Sequence, residues 1–233
     1  MNTELGFVRE MFDRIAPWYD FLNRLLSLRQ DVVWRSQAVK AAKLKSGDRI
    51  LDVACGTCDV ALEAHQQLSK DARICGLDFS FGMLRLGKKK LEKTNNQTIS
   101  LLNADALALP FSNNLFNAVF IAFGIRNIMD RQRALTAFYH VLKPGSRLAV
   151  LELTTPDKGL IRSLYLVYFK KILPLVGSFF SKDSHAYSYL PDSVLKFPSP
   201  AEFARIMTRS GFEQVKYKQM TLGIVTLFVG KKP

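Results

Sequence analysis

The segment "RILDVACGTCDVALEAHQQL", residues 49–68, changes texture at its middle. Residues 49–54 make a short apolar run closed by a turn, the pattern of a buried strand. From Asp59 onward the apolar residues recur at helical spacing. Between the two, Cys55-Gly56-Thr57-Cys58 spells C-x-x-C, and three readings compete for it. A structural zinc site takes about four ligands, yet the only other cysteine is Cys75 and the histidines (His65, His140, His185) are scattered, so no metal is expected. A redox pair at a helix start makes physical sense, because the helix N-terminus lowers a thiol pKa. That reading leaves the neighbouring acids and strands without a role. A strand-to-helix turn in which Gly56 lets the backbone approach a ligand uses more of the sequence.

Outward from this turn, strand-like and helix-like stretches alternate. "ARICGLD" (72–78), "ISLLNAD" (99–105), "NAVFIAFG" (117–124) and "SRLAVLEL" (146–153) read as strands; "SFGMLRLGKKKLEK" and "RQRALTAFYHVL" read as helices. Such alternation predicts an α/β fold, a mostly parallel sheet with helices on both faces. Residues 1–45 read as helices, with Pro17 breaking the first run. After Glu152 the pattern loosens into an apolar, basic segment, 156–182, and a Tyr/Pro-rich stretch. A helix, "SPAEFARIMTRSG", and two strands, "FEQVKYKQ" and "GIVTLFVG", close the chain. No linker or repeat divides it. The expected organisation is one domain over 1–233, with 1–45 a helical extension on the substrate side and 156–200 an insertion.

Ligands of open parallel sheets sit outside the carboxyl ends of the strands. Asp78 closes the next strand twenty-two residues after Gly56, where an acid accepts hydrogen bonds from ribose hydroxyls. "NADALALPF" brings Asp105 and Ala106 to the same edge, within reach of an adenine amino group. The turn is not a full G-x-G-x-x-G and lacks the P-loop lysine, so a ligand with ribose and adenine but no pyrophosphate fits best. S-adenosylmethionine is such a ligand, and Asp52 is placed to answer its ammonium group directly or through water. The plainer alternative is that Asp52 and Asp78 cap helices.

The charge balance asks for a partner. Lys and Arg number 33 against 20 Asp and Glu, a net +13, which suits nucleic acid, an anionic membrane surface, or a basic proteome background. Lys158, Arg162, Lys170, Lys171 and Lys182 lie among Leu, Tyr, Phe and Ile in segment 156–182, as in a piece that rests on an anionic membrane. The N-terminus, "MNTELGFVREMF", has no apolar run and does not read as a secretory signal. Three cysteines without framework spacing make reduced cytoplasm the expectation, with peripheral attachment to the inner face of the cytoplasmic membrane.

Longer motifs point to a family. "FDRIAPWYDFLNRLLS" followed by Trp34-Arg35, "LDVACGTCD", "FGIRNI" (123–128) with "VLKPG" and "LEL" behind it, "YSYLPDSVLKFP" (187–198) and "TLGIVTLFVG" together resemble the quinone-biosynthesis C-methyltransferases, which act on demethylmenaquinol and 2-polyprenyl-6-methoxy-benzoquinol. The matches run from Phe12 to Gly230. The resemblance implies a Rossmann-like class I methyltransferase with a seven-stranded, mostly parallel sheet and an antiparallel C-terminal strand. It also implies cofactor contacts at Thr57, Asp78, Asp105, Ala106 and Ala122, with the pair Arg126–Asn127 near the quinol ring. A ring carbon must be electron-rich to attack a methyl group, so the implied substrate is the reduced quinol. Arg126 is expected to stabilise the developing phenolate with Asn127 orienting it. A water, Asp20, Tyr19 or Tyr189 could take the proton, and Tyr187 and Tyr189 belong to the late motif. Asp130, four residues on, offers Arg126 a helix-side ion pair instead. Departures are Arg29 for a Gly, Cys58 for a frequent Gly, Ser146 for a Gly and Phe228 for a frequent His; Arg29 and Phe228 bear on the choice of quinol. An RNA methyltransferase on the same fold is the alternative, although no RNA-binding appendage is evident and no nucleic-acid partner is expected. A homodimer is left open.

Overall fold

The computed structural model describes residues 3–68, 72–94, 96–156, 159–168 and 184–233. Helices α1 (Thr3–Leu26) and α2 (Gln30–Ala41) come first. The alternating part follows: β1 (Arg49–Val53), α3 (Asp59–Gln67), β2 (Arg73–Asp78), α4 (Phe81–Lys93) and β3 (Ile99–Asn103), then β4 (Phe116–Ala122), a 3₁₀ turn (Ile125–Asn127), α5 (Arg131–Val141) and β5 (Leu142–Leu153). Helices α6 (Leu160–Val167), α7 (Ser184–Leu195) and α8 (Pro200–Arg209) precede β6 (Glu213–Met220), a second 3₁₀ turn (Thr221–Gly223) and β7 (Val225–Lys231).

The seven strands form one sheet in the order β3-β2-β1-β4-β5-β7-β6. Only β7 runs antiparallel to its neighbours. Strand β1 is buried on both faces because helices cover both. Ile50 packs with Trp34, Val39, Val60 and Ala61 on one side, and Leu51 and Val53 pack with Leu135, Phe138, Phe203 and Met207 on the other. After β1 the chain moves outward through β2 and β3, then returns to place β4 on the opposite side of β1. The carboxyl ends of β1 and β4 therefore flank a topological switch point, where such sheets open a crevice.

One local expectation is overturned. Pro17 lies inside α1 without ending it, since Val8, Met11, Ala16 and Leu22 are all buried and packing on both sides of the proline carries the helix through. The Tyr/Pro-rich stretch contains α7, with Pro191 inside it and Val194 buried against Tyr165. Of segment 156–182, Asp157, Lys158 and residues 169–182, with Lys170, Lys171 and Lys182, lie outside the described residues. Among the described residues no helix is long and apolar enough to cross a membrane.

Arg29 stands in the left-handed region at φ +63° with no capping side-chain bond, at the turn into α2. A Cβ there costs about 1 kcal/mol, part of which glycine returns through the entropy of the unfolded chain. Arg29→Gly is expected to raise stability by about 0.5 kcal/mol in urea titrations; a loss of stability would show that the arginine side chain holds the turn.

Candidate active site

Two cavities lie at the carboxyl edge of the sheet. The first, about 280 Å³, is lined by the ends of four strands: Ala54 and Gly56 after β1, Leu77 to Phe79 at β2, Ala104 to Leu107 after β3, and Ala122 to Gly124 at β4. The second, about 380 Å³ and mostly apolar, lies between α1, α2, α6 and α7, with Arg126 in its wall. Phe12, Tyr19 and Phe123 line both and form the partition between them.

Asp78 is 4% exposed at the end of β2. One carboxylate oxygen accepts from the Gly56 N–H at 2.8 Å, the other from the Ser80 N–H at 2.8 Å. Burial raises its pKa to about 6 against those bonds. Gly56 sits at φ +54° and has room beside Tyr19, as a close backbone approach requires. Asp105 lies at the cavity edge with one oxygen accepting from the Leu107 N–H, and Ala106 and Ala122 complete the apolar walls. Asn127 also reaches this cavity, and its side-chain oxygen accepts from the Tyr189 hydroxyl at 3.1 Å.

Arg126 is not paired with Asp130, which instead caps α5. Its guanidinium donates to Glu152 Oε1 at 2.7 Å and to the Phe123 carbonyl, and its backbone N–H donates to Glu152 Oε2 at 3.1 Å. Glu152 is fully buried at the end of β5. Burial disfavours the Arg126 charge, but Glu152 and the nearby Tyr19 and Tyr189 outweigh it and hold its pKa above the ordinary value. The sequence reading passed over Glu152, although a lone acid in the apolar run "LAVLEL" at the carboxyl end of a buried strand was a signal. Burial raises the Tyr19 pKa, while Arg35 and Arg126 partly offset it.

Three expected contacts are placed elsewhere. Asp52 shares the face of β1 that carries Ile50, so it points at α3, and its Oδ2 accepts from the Ala61 N–H at 3.2 Å. Thr57 is buried and donates to Asp20 at 2.5 Å, while Lys90 donates to Thr57 at 3.1 Å and pairs with Asp20 at 2.6 Å. Asp20 and Thr57 line neither cavity. They belong to a set of ties that holds α1 over the sheet edge. Arg24 pairs with Asp59 at 2.9 Å, and Asp13 accepts from Ser80 Oγ at 2.5 Å and the Gly82 N–H at 2.9 Å. Burial pushes the Asp59 pKa up, but Arg35 and Lys90 outweigh it and leave it lowered. Tyr187 belongs to α7, but its side chain lies outside what is described. Phe228 is a core residue, set edge-on against Phe203 with ring centroids 4.8 Å apart, and lines neither cavity. Cys58 takes φ +71° at the start of α3 with its sulfur where a Cβ on Gly87 would lie 2.5 Å away. The bond to Cys58, then burial, holds the Cys55 thiol well above its usual pKa, a setting of inert cysteines.

Asp52 has a measurable signature. Burial raises its pKa to about 8, and Oδ1 has no hydrogen-bond partner among the described residues. A raised carboxyl pKa favours the fold fully below the unfolded value of about 3.9, and that contribution is lost as pH rises through about 8. The expected slope from this group is at most about 1.4 kcal/mol per pH unit inside that window. Asp52→Asn keeps the acceptor for Ala61 and should flatten the fall of melting temperature between pH 5 and 8 (roughly the upper three-quarters of the window). Parallel curves for the two proteins would refute the assignment.

The comparisons agree with this architecture. A model of the ubiE/COQ5 methyltransferase family matches residues 1–232. The ubiquinone/menaquinone biosynthesis C-methyltransferase UbiE of Geotalea daltonii is 47% identical over 232 residues, covering 99% of this chain and 98% of the relative. The demethylmenaquinone methyltransferase of Thermus thermophilus is 45% identical over 223 residues, covering 96% and 100%. Among solved structures, a SAM-dependent methyltransferase from Aquifex aeolicus superposes with TM-score 0.62 at 16% identity over 84% of this chain and 88% of the other. The [4+2]-cyclase SpnF superposes with TM-score 0.73 at 16% identity over 97% and 95%. A cyclase on the same frame shows that the fold alone does not choose the reaction. With the family matched across residues 1–232 and relatives this close along nearly the whole length, the chain belongs to the ubiE/COQ5 methyltransferase family.

Proposed function

We propose that the protein transfers a methyl group from S-adenosylmethionine to a ring carbon of a reduced polyprenyl quinol, with demethylmenaquinol as the first substrate and the benzoquinol precursor of ubiquinol as a second. One observation carries the reading: a nucleoside-sized cavity beside Asp78 and a larger apolar cavity beside Arg126 share the wall made by Phe12, Tyr19 and Phe123. The residues of the first cavity suit the cofactor, with a buried carboxylate for ribose hydroxyls and the walls Leu77, Phe79, Ala106 and Leu107 for a purine.

When bound, S-adenosylmethionine supplies an electrophilic sulfonium methyl. The chain does the rest by placement. Asp78 holds ribose through the lone pairs left by its two backbone bonds. Phe12 and Phe123 exclude water at the partition. Arg126, kept charged by Glu152, faces the quinol oxygen and stabilises the phenolate as its proton leaves. Asn127, held by Tyr189, sets the ring's orientation. Among the groups proposed as proton acceptor, Asp20 is committed to Lys90 and Thr57, the raised pKa of Tyr19 keeps its hydroxyl protonated, and the Tyr189 hydroxyl is committed to Asn127. A water reaching the quinol oxygen from the open side of the second cavity is the acceptor this arrangement leaves. The quinol's tail places the protein on an anionic membrane surface as a peripheral enzyme.

The test is one incubation with methyl-labelled cofactor, demethylmenaquinol in lipid vesicles and total RNA. Label is expected in the lipid extract only, and only while the quinol stays reduced. Label in RNA alone would overturn the reading.

A further inference from the structure

The two most exposed large apolar side chains among the described residues are Leu28 at 82% and Leu222 at 70%. Both occupy tight turns in the left-handed region, at φ 51° and 59°, where a leucine gains nothing from the backbone. Both stand at the second cavity: Leu28 is one of its lining residues, and Leu222 lies between Thr221 and Ile224, which also line it. A third exposed group joins them. Helix α6 turns Tyr165 inward to the cavity and presents Ile161, Leu164 and Val167 outward. Tyr168, one residue beyond α6, donates to the Leu26 carbonyl at 3.2 Å, which fixes this end of the helix beside the α1–α2 turn.

Charge follows the same line. The three segments that carry this rim, residues 21–30, 159–168 and 214–224, hold Arg29, Arg162, Lys216 and Lys218 and no acidic residue, while Arg24 in the first of them is tied to Asp31 and Asp59. Apolar tips ringed by basic side chains, around the mouth of an apolar cavity, match the interface of an anionic bilayer. Water-exposed leucines in strained turns otherwise have no function to offset their cost.

We propose that Leu28, Leu222 and the outer face of α6 form a lipid-docking rim, through which a polyprenyl substrate passes from an anionic bilayer into the second cavity without crossing water. This rests on the quinol reading above, and it assigns the membrane surface to a defined part of the fold. The rim segments insert their leucines among the acyl chains while Arg29, Arg162 and Lys218 meet the headgroups.

The test uses the full chain carrying Leu222→Asn and Leu164→Gln. Neither residue lines a cavity, and asparagine tolerates the left-handed turn better than leucine, so the fold is retained. Binding to phosphatidylcholine vesicles containing phosphatidylglycerol, measured by flotation, is expected to fall roughly 30-fold relative to the unaltered chain. Methylation of demethylmenaquinol embedded in those vesicles should fall with it, while methylation of a water-soluble quinol without the tail stays unchanged. Equal vesicle binding by the two proteins, or no vesicle binding by either, would overturn the rim whether or not quinol is methylated. A change of oligomeric state with vesicle binding intact would overturn it in favour of a second copy of this chain. Loss of vesicle binding in the variant, with neither quinol methylated by either protein, would support the rim and sink the quinol reading instead.

Discussion

Arg126→Gln is expected to lower the methylation rate constant by about 10²- to 10³-fold, the usual effect of removing one group that stabilises developing negative charge. The same change strands Glu152, which is fully buried and has Arg126 as its charged partner, so stability should fall by about 3–5 kcal/mol. These effects separate in the double variant Arg126→Met/Glu152→Gln. With both charges gone, no buried ion is left unpaired, and most of the stability returns while the rate does not. Recovery of the rate in the double variant would mean that the pair only supports the fold. Arg126→Lys keeps the charge but not the fixed donor geometry of the guanidinium, one nitrogen of which binds both Glu152 and the Phe123 carbonyl, and it should give an intermediate rate.

Asp78→Ala is expected to weaken S-adenosylhomocysteine binding by about 100-fold or more, since two ribose hydroxyls would lose a charged acceptor worth about 1.5–3 kcal/mol each. Titration calorimetry on a folded variant measures it. The unaltered protein adds a second readout. With the ligand-free carboxyl at about 6, affinity is flat above that pH and falls by about tenfold per unit below it, because the carboxyl must give up its proton to accept both hydroxyls. An unchanged dissociation constant in Asp78→Ala would remove the residue from the cofactor site.

Periodicity made much of the frame legible. The apolar run of β1, the helical spacing after Asp59 and the acids closing β2 and β3 are local signals, and they put Gly56, Asp78, Asp105 and Ala106 at one edge. Asp52 was misdirected although its signal was also local. Strand side chains alternate, so an acid two residues from Ile50 shares its face and meets α3, not the crevice. Thr57 and Asp20 were illegible for a different reason: their bond joins residues 37 apart, and nothing in either segment announces it. Glu152 and Arg126 meet across 26 residues in the same way. Pro17 read as a break because propensity is local, whereas the burial that carries α1 through it is not.

The place of β7 in the sheet also governs how the molecule is assembled. Among the described residues strand β6 pairs with β7 and with no other strand, yet it is synthesised first. Until β7 emerges, β5 keeps a bare hydrogen-bonding edge along Arg147 to Leu153, and β6 has nothing to join. The last seven-residue strand is therefore the wedge that closes the sheet. A nascent chain must be shielded from the emergence of β5 until β7 follows, because an open edge of that length is a template for other chains.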